Sequence, residues 1–313
     1  MKARRLLFWV VLGVLGCRPA KPAPQASWSD LSSDAGAVAC ERCLGFPGPA
    51  RVGEVENTEL TELSGLLAGS VDGVYFAHND SGDSARFFAL GPSGRHLGEY
   101  RLAGVRARDI EAIALGPCPE GQCLFLGDIG DNRRVRDDYA LYRVPEPKVL
   151  GNGAEEEVAF VKMSFVYPAL AHHNAEALVV DPESGVPYVL TKRAEGESSE
   201  VFRFPPGGFS ETPVTLEKVA TLPATDAPVT AADYHSCGRR LLLRTYRRVL
   251  LFVAPKGGDF ESVFSATPLE VPSAFEPQGE ATAFSRDGRA FLTASEGRFP
   301  PLHASVCGAP ARH

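Results

Sequence analysis

Three glutamates, Glu111, Glu176 and Glu280, each open a short apolar run: Glu111-Ala-Ile-Ala, Glu176-Ala-Leu-Val-Val and Glu280-Ala-Thr-Ala-Phe. Other oxygen-bearing side chains gather in Gly127-Asp-Ile-Gly-Asp-Asn132 and in His78-Asn-Asp-Ser-Gly-Asp83, with Glu296 near the end of the chain. Carboxylate and amide oxygens are hard donors that suit Ca2+. Like charges held close together raise one another's pKa unless a cation neutralises them. The expected ligand set is Glu111, Glu176, Glu280, Asp128, Asp131 and Asn132. The same glutamates would equally serve to cap backbone groups. Asp80 and Asp83 lie in turn-forming sequence and read as turn residues. His172 and His173 are the candidate general bases. Lys192, Arg193 and Arg244 would pair with the acids or meet an anionic ligand. No nucleophile elbow, P-loop or zinc-protease helix motif occurs in the chain.

Residues so far apart in sequence converge only if a repeated element positions them. Repeats begin at Ser64, Glu111, Glu176, Thr230 and Glu280. Each is a short apolar strand, a turn containing glycine (Asp72-Gly73, Pro119-Glu-Gly121, Ser184-Gly185, Cys237-Gly238, Asp287-Gly288) and a second short strand, the pattern of a hairpin. Third strands follow, such as Arg86-Phe-Phe-Ala-Leu90 and Val249-Leu-Leu-Phe-Val253, and a fourth in places, such as Ala159 to Phe165. A period near 50 residues with four short strands predicts an all-β protein, a single β-propeller. Five blades are visible, the long interval after Glu111 leaves room for a sixth, and residues 51–58 would supply an N-terminal strand that closes the last blade. A β-sandwich is the competing fold, but it leaves the recurring Glu-Ala start unexplained. In a propeller the first strand of each blade descends from the face that also carries the loop between strands two and three. That face would gather the candidate ligands at the mouth of the channel.

The run Glu62-Leu-Ser-Gly-Leu66, His78 to Asp83, Asp109-Ile-Glu-Ala-Ile-Ala114, Gly127 to Asn132 and Tyr142-Arg-Val-Pro-Glu-Pro147 resembles a family of exported bacterial propellers, mostly uncharacterised. These are similar in style to the phytase-like and gluconolactonase (TolB-like) propellers. The resemblance runs from about residue 51 to the end. It implies no reaction; the better-known relatives imply acidic and Asn side chains holding Ca2+ in the channel.

The N-terminus carries a different message. Lys2, Arg4 and Arg5 precede an apolar run from Leu6 to Leu15. That run is too short to span a bilayer, which needs about 20 apolar residues, but it suits a signal peptide. It ends in Val14-Leu15-Gly16-Cys17, which resembles the lipobox of bacterial lipoproteins, and this resemblance implies cleavage before Cys17 and lipid on that cysteine. Residues 1–16 then form the signal peptide, 17–50 the lipidated cysteine and a Pro/Ala/Ser-rich tether, and 51–313 the propeller. The expected location is the cell envelope, on the periplasmic or cell-surface side, with the lipid anchor contacting the membrane. Removing residues 1–16 takes the formal net charge from −7 to −10, which disfavours a nucleic-acid partner.

Six further cysteines in an oxidising compartment suggest disulfides. Cys118 and Cys123 flank a tight turn and would bond across it. Cys237 with Cys307 is a second expectation, for which Cys40 and Cys43 compete; Cys40-Glu-Arg-Cys43 reads as structural rather than as a redox or zinc motif. The functional expectation is a binding or scaffold module with an unknown protein or small-molecule ligand. The alternative is a Ca2+-dependent hydrolase of an ester, lactone or phosphoester.

Overall fold

The fold is given by a computed structural model of the 313-residue chain, which describes Cys43 and residues 45–149, 151–207 and 212–308. The expected signal peptide, Cys17, Cys40 and all of the expected tether but Cys43 and residues 45–50 lie outside the described residues.

The described chain is a five-bladed propeller, as the repeats predict. An N-terminal strand, β1 (Ala50–Glu54), precedes blade one: β2 (Leu63–Ala68), β3 (Tyr75–Asn79), β4 (Arg86–Leu90) and β5 (His96–Leu102). Blade two holds β6 (Ile110–Cys118), β7 (Gly121–Asp128) and β8 (Tyr139–Pro145), then, after β9 (Ala154–Val158), its fourth strand β10 (Val161–Val166). Blade three is β11 (Ala175–Val180), β12 (Pro187–Thr191), β13 (Ser198–Arg203) and, after the short β14 (Val214–Thr215), β15 (Glu217–Ala224). Blade four is β16 (Val229–His235), β17 (Arg240–Thr245), β18 (Val249–Val253) and β19 (Leu269–Val271). Blade five is β20 (Gly279–Phe284), β21 (Ala290–Ser295) and β22 (Pro301–Val306), completed by β1 on its outer edge. The ring therefore closes with the first strand on the last blade, in antiparallel register Ala50↔Ala304 to Glu54↔Pro301.

The long interval after Glu111 does not make a sixth blade. Its extra residues form β9, which runs parallel to β5 and adds a fifth strand to blade one; β14 likewise adds parallel to β10 on blade two. The five inner hairpin turns place Gly73, Gly121, Gly185, Gly238 and Gly288 at positive φ, where an L-residue is strained.

Alternation along each strand buries both faces, because every blade packs between two neighbours. Leu67, Phe76, Phe87 and Tyr100 of blade one meet Ile110, Ile113, Leu124 and Tyr142 of blade two. Leu66, Tyr75 and Phe88 meet Ala281, Leu292 and Leu302 of blade five. Blades two, three and four share a larger core that includes Phe125, Phe165, Tyr167, Val189 and Leu243.

The edge of the ring opposite the channel mouth, its foot, is fixed by buried cross-links. Cys43 bonds Cys307 at the end of β22. Arg240, fully buried, donates to the carbonyls of Cys43 (3.1 Å), Gly288 (2.5 Å) and Cys237 (3.1 Å). Cys43 and Phe46 pack under Phe284 and Phe291, so the ordered domain reaches further toward the N-terminus than the expected boundary at residue 51. The expected Cys237–Cys307 bond is thereby corrected. Cys307 is taken by Cys43, and Cys237 is disulfide-bonded elsewhere. Cys118 and Cys123 bond across their hairpin as expected.

Candidate functional site at the channel mouth

Each inner strand begins with the same irregularity. The register between strands one and two of every blade shifts across Leu63/Gly65, Ile110/Ala112, Ala175/Ala177, Val229/Ala231 and Gly279/Ala281. The residues left unpaired are Ser64, Glu111, Glu176, Thr230 and Glu280, the five residues that start the sequence repeats. A bulge turns an extra residue out of the ladder, and here it makes an inner ring of five polar side chains, all buried. Ser64 Oγ donates to Glu111 Oε2 at 3.4 Å and Thr230 Oγ1 to the Gly279 carbonyl at 2.8 Å.

A second ring lies beside it. The first residue past each second strand is Asp80, Ile129, Lys192, Tyr246 or Glu296. Each donates its N–H to the carbonyl two residues before the inner-ring residue: Glu62, Asp109, Asn174, Pro228 and Gln278. This ring places Asp80 between two acidic neighbours. Single oxygens of Asp80, Glu280 and Glu296 lie within 4.8 Å of one another, and so do those of Asp80, Asp109 and Glu111. Gly130 makes room for the second group, because a Cβ there would fall 2.3 Å from Asp109 Oδ2 and 2.7 Å from Glu111 Oε1.

The rings are polarised. Blades five, one and two carry the acidic seam, whereas blades three and four carry Lys192 and Tyr246. Lys192 Nζ lies 2.5 Å from Glu176 Oε1 and donates to Tyr246 Oη at 2.8 Å. Burial, then hydrogen bonding to and repulsion from Glu296, push Glu280 up to about 9. Burial and the charges of Glu176, Asp80 and Asp109 hold Glu111 well above the carboxylate range. Burial and Asp80 raise Asp109 to about 6. Glu176 rises to about 7, burial outweighing the opposing pull of Lys192. The seam therefore keeps protons at neutral pH when nothing else neutralises it.

Of the six expected ligands, Glu111 and Glu280 stand in the two carboxylate groups, whereas Glu176, on the same inner ring, lies in neither and is paired with Lys192. Asp128 occupies the last position of its second strand, where Asn79, Thr191, Thr245 and Ser295 stand in the other blades. Its oxygens accept from the N–H groups of Asp109 (3.0 Å) and Arg108 (3.1 Å) and pair with Arg136 Nη2 at 2.7 Å. Asp131 accepts from Arg136 N at 2.9 Å and Tyr139 Oη at 2.7 Å, burdened with holding its loop. Asn132 Oδ1 accepts from Asn174 Nδ2 at 3.1 Å. Asp128 and Asp131 thus hold their loop and lie outside both carboxylate groups, while Asn132 is joined through Asn174 toward Glu176. Asp83 is the expected turn residue, bound to Arg86 and Asn79, but Asp80 is common to both carboxylate groups.

Neither histidine belongs to those groups. His172 Nδ1 lies 2.5 Å from the Arg136 carbonyl, to which it donates. The His173 ring packs on Tyr167 and Phe202, accepts from Arg193 Nη2 at 3.1 Å, and is held neutral by burial and the Arg193 charge. Arg193 pairs with Glu200, and the fully buried Arg244 with Glu276 at 2.9 Å. His78 is also buried, its Nε2 lodged over Gly65 without a hydrogen-bond partner among the described residues.

Two oxygens bound to one Ca2+ at 2.3–2.6 Å from the ion can be no more than about 5 Å apart. Both carboxylate groups meet that limit, and neither contains a nitrogen or sulfur donor. The donor set fits a hard cation.

No family model matches the chain, and neither does any curated protein. Among solved structures, the chain is similar to Raptor from Chaetomium thermophilum, with 12% identity and a TM-score of 0.45 over 85% of this chain. The similarity spans 30% of that longer chain.

Proposed function

We propose that this protein is a lipid-anchored, extracytoplasmic binding module whose working face is the channel mouth, and that Asp80, Glu111, Glu280 and Glu296 hold a calcium ion there. The observation that supports the reading most is the position of Asp80 of blade one, grouped with acids of blade five on one side and of blade two on the other. When bound, the ion would supply positive charge to the seam. Backbone hydrogen bonds to the Glu62 and Gln278 carbonyls hold the second-ring donors Asp80 and Glu296 in place, and the bulges turn the inner-ring donors Glu111 and Glu280 out of their ladders. The hydrolase alternative receives less support, because His172 and His173 are engaged in loop and core contacts away from the carboxylate groups.

The two halves of the proposal are tested separately. A Cys17→Ser protein leaves the membrane fraction if lipid on Cys17 is the anchor, and stays there if it is not. Calcium at a hundredfold excess over Kd stabilises the native state by about 2.7 kcal/mol, which for a domain of this size raises Tm by about 5–10 °C relative to EDTA. Asp80→Asn abolishes that rise, and Asp83→Asn leaves it intact. Equal rises in wild type and Asp80→Asn would place the ion elsewhere.

A further inference from the structure

Large apolar side chains left in water are not spread evenly over this molecule. Of the seven exposed ones among the described residues, four stand on the face of the channel mouth: Phe275 (93% exposed), Leu170 (73%), Val135 (68%) and Phe299 (40%). Single exposed apolar residues need no explanation; four on the face that also carries the carboxylate groups offer apolar contact beside charge. Leu170 and Phe299 also hold the left-handed backbone conformation, at φ 54° and 52°, which L-residues rarely adopt.

Their placement around the ring is specific. Phe275 lies in the segment entering β20, and Phe299 in the loop between β21 and β22, so both belong to blade five. They bracket Glu280 and Glu296, and Gln278 Nε2 ties the two loops by donating to Glu296 Oε2 at 2.8 Å. Val135 lies in the loop after β7 and Leu170 in the segment entering β11. Those loops are joined through His172 to the Arg136 carbonyl and through Asp131 N to Asn174 Oδ1 at 2.6 Å. Inner strands contact one another in the cyclic order β2, β6, β11, β16, β20. In a ring of five, the junction of blades two and three stands opposite blade five. Two apolar pairs therefore face each other across an acidic mouth.

We infer that the mouth docks an extended segment of a protein partner, in which a basic side chain is flanked on both sides by apolar residues. This rests on the binding-module reading and names its partner. The basic residue meets the seam of Asp80, Asp109, Glu111, Glu280 and Glu296, whose protons an approaching cation displaces; a divalent ion balances at most two of the five carboxylates, and those left over still attract a cationic side chain. The apolar flanks cover Phe275 and Phe299 on one side, Val135 and Leu170 on the other. The partner comes from the aqueous space and not from the anchoring bilayer. The chain joins the domain at its foot, where Cys43 is bonded to Cys307 and to Arg240, and the mouth is on the opposite edge.

A library of random decapeptides, selected against the full-length protein, tests this. The expected recovered sequences share a Lys or Arg with apolar residues on both sides. Their affinity falls tenfold or more in Phe275→Ser/Phe299→Ser, in Val135→Ser/Leu170→Ser and in Glu280→Gln/Glu296→Gln, each confirmed as folded by circular dichroism. Four results would overturn the inference: no enrichment, enrichment of acidic sequences, affinity unchanged in the apolar variants, or those variants instead losing binding to phosphatidylglycerol vesicles or a concentration-dependent self-association. Each arm is run in calcium and in EDTA. Peptide binding that ignores calcium keeps the docking inference and removes the ion; an intact calcium response without peptide binding does the reverse.

Discussion

Asp80 and Asp128 follow the same kind of strand, yet one faces other carboxylates and the other closes a loop, and the difference is a single position. Asp128 ends its strand, where Asn79 and Ser295 also use a side-chain oxygen to receive the N–H two residues before the inner ring, at 3.0 and 3.1 Å. Asp80 stands one residue later, in the second ring. A carboxylate in the first position is spent on backbone groups, whereas in the second it faces the channel. The raised groups of the seam make stability depend on pH. A carboxyl whose pKa is higher in the folded state binds more protons there than in the unfolded chain, so its contribution is lost as pH rises through the folded value. His78, His173 and His235 are shifted down by burial, and act in the opposite sense only below their unfolded pKa near 6.5. From pH 7 to 9 the carboxyl of Glu280 (about 9) therefore dominates, with Glu111 raised in the same sense. In EDTA, Tm should fall across this window, and Glu280→Gln should flatten the fall. A Tm that is level or rising from pH 7 to 9 in the wild type would contradict the assignment.

At the scale of the element, the repeat was legible because each inner strand must start with a bulge and each hairpin must turn on a glycine. The starts at residues 64, 111, 176, 230 and 280 are the bulge positions themselves, and residues 51–58 contain most of the closing strand. The second ring was not legible. Asp80, Ile129, Lys192, Tyr246 and Glu296 share no side-chain chemistry, only a backbone hydrogen bond, so nothing in their types announces a common place. Nor could spacing reveal that β9 joins blade one in parallel, since an edge strand of sequence Ala154-Glu-Glu-Glu-Val158 is set by what it pairs with. The pairing of Cys43 with Cys307, 264 residues apart, follows from ring closure and is equally invisible locally. Close packing between elements gives a sharp test. A Cβ on Gly279, at the start of β20, would fall 1.5 Å from Nη2 of the buried Arg244 on β17. Arg244 is fully buried against Glu276 and cannot swing into solvent. Gly279→Ala should cost about 1–3 kcal/mol by overpacking, read as a lower urea midpoint with an unchanged m-value. A midpoint within error of wild type would show that the blade four–five junction yields.

The whole molecule is a ring with two unlike edges. Its foot is locked by Cys43–Cys307 and by Arg240, and receives the chain from the N-terminus. Its mouth gathers acids from blades five, one and two, with a single lysine, Lys192, on the second ring. The two unlike edges are consistent with the proposed anchoring at the foot and the proposed binding at the mouth. The central claim is that a cation takes the place of protons in the seam around Asp80. Metal binding to protonated carboxyls releases protons, and calorimetric titration of calcium at pH 7.5 in two buffers of different ionisation enthalpy counts them. The account predicts that about one proton or more leaves per calcium bound to the wild type, and that both the binding heat and the release disappear in Asp80→Asn. Calcium binding with no proton release, or the same release from Asp80→Asn, would contradict it.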